Sequence, residues 1–230
     1  MPPKKPDDYV NVTTSLAYLL VYNFAQVGGW TMIAFAMGLK WVAKGSYTDF
    51  YGAVEPMLLI FQTAAILEIF HAMFGLVKSN PVLTAFQVFS RIIVTWGILY
   101  IVPEVHQSVG VAMLLVAWSV TEIIRYSYYM CGLIDSIPYA LMWCRYTFFI
   151  ILYPIGVTGE LLSIYGALPF IKDRGLYSVS MPNRANMSFS YYHVLIFVML
   201  SYIPIFPQLY LHMFAQRRKM VSASPKPKAE

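Results

Sequence analysis

Tyr146, Tyr153 and Glu160 recur at a spacing of seven inside one apolar stretch, WCRYTFFIILYPIGVTGELL, from Trp143 to Leu162. A step of seven residues drifts by only about 20° on a helix, so the three side chains stack along one face. For Tyr153 and Glu160 the separation along the axis is about 10 Å, which leaves space for a small reacting group between a phenol and a carboxyl. Such a pair suits proton transfer, with one group accepting a proton and the other delivering one. A carboxylic acid in a low-dielectric cavity gives and takes protons near neutrality unless a cation such as Arg91 or Arg145 lies close. A tyrosine needs a nearby cation to serve as the base.

The segment that must carry this pair has features of its own. Pro154 follows Tyr153 directly, and a proline within a helix removes the hydrogen bond to the carbonyl four residues back, here Ile150, and kinks the segment. Gly156 and Gly159 then thin the same turn and a half, so that a substrate or a neighbouring helix can come close. Other apolar runs hold Glu68 and His71, Arg91, and Glu122 with Arg125, Tyr126 and Tyr129. Charged groups at membrane depth are costly and face a partner in the bundle interior. Glu122 and Arg125, three apart, can pair on one helix, and Glu68 with His71 has the same spacing. Arg91 and Arg145 need a carboxylate from elsewhere, with Glu68, Glu122 and Glu160 available. A purely structural role, in which these groups set the register of packed helices, is the plain alternative to chemistry.

Composition fixes the setting. The chain of 230 residues is 59% hydrophobic and only 12% charged, with a mean hydropathy of +0.60, far from the balance of a soluble domain. Spans of about 20 apolar residues are required to cross a bilayer, and they occur near 15–38, 57–77, 82–102, 108–130, 139–165 and 190–213. The expectation is an all-α membrane protein: one polytopic bundle of six transmembrane helices over 1–230, with tails at about 1–14 and 214–230. An even number of spans puts both ends on one side. The net charge of +5 is concentrated at those ends, which favours a cytosolic placement for both and argues against nucleic acid as partner. No cleavage site follows the first apolar run, so that run is expected to stay as a membrane helix. Lys226 and Lys228 in the tail have the form of a dilysine retrieval signal of endoplasmic reticulum membrane proteins. Composition alone would equally accommodate a non-enzymatic scaffold or transporter with intramembrane ion pairs.

The motifs narrow that choice. Trp118-Ser-Val-Thr-Glu-Ile-Ile-Arg-Tyr126, Arg145-Tyr-Thr147, Leu152-Tyr-Pro-Ile-Gly156 and Gly159-Glu160, followed by Met181-Pro-Asn183, Asn186, Ser188-Phe189 and Gln216-Arg-Arg-Lys219, resemble the 3-hydroxyacyl-CoA dehydratases of very-long-chain fatty acid elongation, formerly called protein tyrosine phosphatase-like proteins. The resemblance extends from about Arg91 onward. It implies a six-helix endoplasmic reticulum lyase that removes water from a (3R)-3-hydroxyacyl-CoA to give the trans-2-enoyl-CoA. It also implies that Tyr153 and Glu160 are the catalytic pair, with Arg91, Glu122, Arg125, Tyr126, Arg145 and Gly156 supporting the site. Water elimination needs a group for the C2 proton and a group for the 3-hydroxyl, and the first expectation gives Tyr153 to C2 and Glu160 to the hydroxyl, with the reverse left open.

Phosphatase chemistry of the kind the old family label suggests needs a cysteine with an arginine six residues later. Here Cys131 is followed at that spacing by Ile137, and Cys144 by Ile150. These cysteines are expected to be buried, unpaired hydrophobes. With no phosphate-binding glycine loop and no metal-ligand cluster in the sequence, no cofactor is expected beyond the CoA carried by the substrate. Lys78 and the Arg217–Lys219 cluster are candidates for the CoA phosphates, and the condensing enzyme and the ketoacyl and enoyl reductases of the elongation cycle are the expected protein partners. Asn11-Val-Thr13 and Asn186-Met-Ser188 are glycosylation sequons. The first would be cytosolic and the second lumenal in the orientation above.

Overall fold

A computed structural model describes residues 6–179, 181 and 188–223, with side chains from residue 14 to residue 220. The Asn186 sequon, the lysine pair at 226 and 228 and most of the 181–186 motif lie outside the described residues, as does the side chain of Asn11. Among the described residues, helices long and apolar enough to cross a membrane number six, as the sequence led one to expect. The first and last run longer than expected, and the second and fifth are placed differently.

The first span belongs to α1, Pro6–Lys44. The second joins α2, Phe50–Ala64, to α3, Leu67–Met73, and so starts earlier than residue 57. Pro56 sits within the second turn of α2, where buried Phe50, Tyr51 and Val54 anchor the segment to the core. The third span is α4, Pro81–Val94, continued by a π-helical turn over Thr95–Leu99. Asn80 starts it, its side-chain oxygen accepting from the N–H of Val82 at 2.9 Å, with Pro81 at the first helical position. After a short 3-10 turn at Pro103–Val105 comes α5, Val109–Leu133, capped by the Ser108 hydroxyl.

The stretch expected as one helix over 139–165 is two, α6 over Tyr139–Thr147 and α7 over Phe149–Arg174, with a turn at Phe148. α7 stops where Gly175 adopts φ +61° and its N–H returns to the carbonyls of Ile171 and Lys172. An isolated antiparallel bridge between Val179 and Phe189 leads into α8, Tyr191–Ala223.

α5 is the axis of the bundle and packs against α7 and α1, with α2 packed on α1 and touching α5 as well. Its apolar side chains Val111, Leu114, Leu115 and Trp118 meet Trp30, Ile33, Leu58, Ile98, Ile164 and Leu195 in a continuous core. Half of the α5 span is buried, against 6% for α8, so α8 lies at the periphery of the chain. Outward-facing Phe24, Phe35, Phe86, Ile151, Phe197 and Ile203 are exposed, as a lipid-facing surface requires. At the end of the bundle away from the termini, Arg174 at the end of α7 pairs with Glu104, and the guanidinium holds that carboxyl below the usual glutamate range.

Candidate active site

The polar groups within the apolar spans meet in one layer. On α5, Glu122 is fully buried and accepts hydrogen bonds from two cations, Arg91 of α4 and Arg125, whose Nε donates at 2.8 Å. Arg125 also grips Glu68 of α3 through both terminal nitrogens, at 3.0 and 2.9 Å. Glu68 accepts further from the hydroxyls of Tyr126 and Tyr22. Two guanidinium groups thus face two carboxylates, and the network is neutral as a whole. This is the condition under which buried charges are tolerated.

The expected Glu122–Arg125 pair is therefore present, but Glu68 and His71 do not pair. Glu68 turns to Arg125, whose planar fork matches a carboxylate, while the His71 ring bonds the hydroxyl of Tyr18 at 2.9 Å. Arg145 also stands apart. It sits on α6, where its guanidinium lies 5.8 Å from the ring centroid of Tyr129, and no carboxylate pairs with it among the described residues. Tyr146 packs edge-on to Tyr128, so the face of three equally spaced groups is divided by the turn at Phe148.

Tyr153 and Glu160 both lie on α7. Glu160 is only 7% exposed. The indole N–H of Trp118 donates to its Oε1 at 2.9 Å, and the hydroxyl of Tyr202 donates to its Oε2 at 2.6 Å, so the carboxylate is gripped from α5 and from α8. Arg91 lies over the Trp118 ring, 5.9 Å from its centroid, and joins the ionic network to the Glu160 grip. Tyr153 lies two turns before Glu160 on α7. Its ring stacks on Phe206 at 5.2 Å and on Tyr210 at 6.0 Å, and its hydroxyl makes no hydrogen bond among the described residues.

The break at Pro154 has a specific partner. The carbonyl of Ile150, which the proline leaves without its helical donor, accepts the Tyr210 hydroxyl at 2.9 Å. The glycines serve helix packing. A methyl at Gly159 would sit 2.6 Å from the Leu114 nitrogen and 2.7 Å from the Gly110 carbonyl on α5, whereas one at Gly156 would meet only Ala117 at an ordinary 3.5 Å. It is thus α5 that comes close at Gly159, not an open space for substrate.

The residues that sequence reasoning did not single out are Tyr202 and Tyr210. Their signal was an aromatic stripe, Tyr202, Phe206 and Tyr210, at steps of four on one face of the last helix. Cys131 and Cys144 are free as expected, but both are half-buried rather than buried.

With this arrangement in view, the relatives of the chain can be stated. Residues 62–223 match the family described as "Protein tyrosine phosphatase-like protein, PTPLA". Very-long-chain (3R)-3-hydroxyacyl-CoA dehydratase 2 of Homo sapiens is 52% identical over 206 residues, covering 90% of this chain and 81% of that protein. The dehydratase hpo-8 of Caenorhabditis elegans is 46% identical over 92% of this chain and 97% of its own length, and PASTICCINO 2 of Arabidopsis thaliana is 41% identical over 90% and 94%. No solved structure matches the chain. With a family match over well more than half its length and relatives of this identity along nearly all of it, the chain belongs to the protein tyrosine phosphatase-like family, whose members here are named very-long-chain (3R)-3-hydroxyacyl-CoA dehydratases.

Proposed function

We propose that this chain is a very-long-chain (3R)-3-hydroxyacyl-CoA dehydratase, a hydro-lyase in which Tyr153 and Glu160 are the reacting pair. The observation that carries the reading is a buried carboxylate, Glu160, held by two donors on the same helix as a tyrosine whose hydroxyl is uncommitted. The thioester carbonyl acidifies the proton on C2. As one residue takes that proton, the C2–C3 double bond forms and the C3–O bond breaks, and the other residue protonates the departing hydroxyl, which leaves as water. A proton passed back between the two residues resets the pair. The reaction is redox-neutral, so it calls for no cofactor beyond the CoA of the substrate.

The hydrogen bonds favour a division of labour that residue type alone left open. Both oxygens of Glu160 accept, which suits the acceptor of the C2 proton. Arg91 is committed to Glu122 and no cation pairs with the Tyr153 hydroxyl among the described residues, so the phenol lacks the free cation that would make it a base and is suited to donate to the leaving oxygen. Arg91, Glu122, Arg125 and Tyr126 act as support by holding α3, α4 and α5 in register. Arg145 pairs with neither member of the pair, and Gly156, between them on α7, faces Ala117 of α5, so their support is indirect.

The CoA end would enter from the side of the termini. Phe214 meets Phe149, at the start of α7 four residues before Tyr153, with ring centroids 5.2 Å apart, and Arg217, Arg218 and Lys219 follow on the next turn of α8. Those cations and Lys78 suit the CoA phosphates, and the acyl chain suits the apolar space between helices. We place the enzyme in the endoplasmic reticulum membrane with both termini cytosolic, beside the condensing enzyme and the two reductases whose product and substrate it would handle.

The test is turnover by the purified protein in detergent or vesicles. Wild type should convert 3-hydroxyacyl-CoA of long chain length to the enoyl-CoA, and Tyr153→Phe and Glu160→Gln, folded, should each lose at least about 100-fold in kcat. Near-full activity in both variants would remove the assignment. Inactivity of the wild type toward every chain length would instead favour a scaffold.

A further inference from the structure

α8 is the outermost helix of the bundle and contributes little to the core, yet it reaches the centre of the site. Its Tyr202 hydroxyl donates to Glu160 Oε2 at 2.6 Å while Trp118 Nε1 donates to Oε1 at 2.9 Å. A glutamate has three rotatable bonds and a broad terminal torsion, so nothing in α7 itself fixes where its carboxylate points. Arg91, 5.9 Å from the Trp118 ring centroid, is already paired with Glu122. One donor would leave the carboxylate free to rotate about the remaining bond, whereas two, from opposite helices, define its plane. Each oxygen keeps a lone pair for substrate.

We infer that Tyr202 is a positioning residue for the dehydration: with Trp118 it fixes the plane and direction of the Glu160 carboxylate, so that α8 sets the geometry of a proton transfer carried out on α7. The inference rests on the reading of Tyr153 and Glu160 as the reacting pair. It separates Tyr202 from the other tyrosines of α8, because Tyr210 acts on a backbone carbonyl and Tyr191, near the far end, donates to the carbonyl of Gly97 at 3.2 Å. Tyr202→Phe removes one oxygen atom and keeps the ring.

The experiment compares kcat, KM and thermal unfolding of wild type, Tyr202→Phe, Trp118→Phe, Glu160→Gln and Tyr191→Phe in the full chain with one 3-hydroxyacyl-CoA substrate. Misplaced catalytic groups cost rate more than binding, so Tyr202→Phe should lose roughly 10- to 100-fold in kcat, with KM changed by less than about twofold. Its unfolding temperature should match that of Tyr191→Phe, which likewise lacks one buried hydroxyl but keeps wild-type kcat. Trp118→Phe, which removes the other donor, provides the same reading should Tyr202→Phe not fold. Wild-type kcat in Tyr202→Phe beside an inactive Glu160→Gln overturns the positioning role and leaves the pair intact. Equal losses in Tyr202→Phe and Tyr191→Phe that track unfolding temperature also overturn it, as a structural effect. Full activity in Glu160→Gln overturns the underlying pair itself.

Discussion

Glu122 shows how much one side chain in this layer has to balance. It has no exposure and stands between Arg91 and Arg125, and only Arg125 has a second carboxylate, Glu68, to turn to. Replacing it with glutamine keeps the size and removes the charge that Arg91 depends on. Breaking a buried pair from one side costs about 3–5 kcal/mol, because the surviving charge is left in a medium that solvates it poorly. Glu122→Gln is therefore expected to lower stability by that order in chemical or thermal unfolding in detergent. A variant as stable as wild type would mean that water reaches Arg91 and that the layer is wetter than its packing implies.

At the scale of elements, the contact between α5 and α7 is what brings the donors to the acid. Gly159 and Gly110 let the two backbones approach, and Trp118 lies one turn beyond Leu114 while Glu160 adjoins Gly159. A methyl at position 159 would collide with backbone atoms of α5, which cannot rotate away as a side chain can. Gly159→Ala should thus push the helices apart, cost about 1–3 kcal/mol as an overpacked core does, and lengthen the Trp118–Glu160 hydrogen bond enough to reduce turnover. Gly156→Ala, whose methyl meets only the Ala117 side chain at 3.5 Å, should leave both measurements close to wild type. If the two variants behave alike in unfolding and activity assays, close backbone approach is not what the glycines provide.

For the whole molecule, six spans return the chain to the side on which it began. The polar layer then lies within the bundle, nearer the end that carries the termini for Tyr153, which is one turn inside α7, and deeper for Glu160. The proposed cytosolic placement follows from the cations at the two ends and at Lys78. Epitopes at both termini should be digested by protease added outside sealed microsomes, with Asn11 unglycosylated. A glycan on Asn11 would invert the arrangement and put the mouth near Arg217–Lys219 in the lumen.

The sequence by itself determined the class of the molecule, because long apolar runs have no stable alternative to membrane helices. It also marked Tyr153 and Glu160, since charge and hydroxyl in such runs stand out against their neighbours, and it exposed the Ile150 carbonyl, since a proline always leaves that group unpaired. Only the tertiary structure decided who answers these groups. Trp118 and Tyr202 each lie 42 residues from Glu160 along the chain, Glu68 lies 57 from Arg125, and Tyr210 lies 60 from Ile150. Such pairings depend on how each helix is rotated about its axis. In a soluble helix the apolar stripe gives that rotation away, but a helix in lipid is apolar on its outer face as well as its inner one, so the period that would reveal it is nearly absent. The break at Phe148 was hidden for the same reason: an unbroken apolar run continued across it, and only the separate packing of Tyr146 and Tyr153 shows where one helix ends and the next begins.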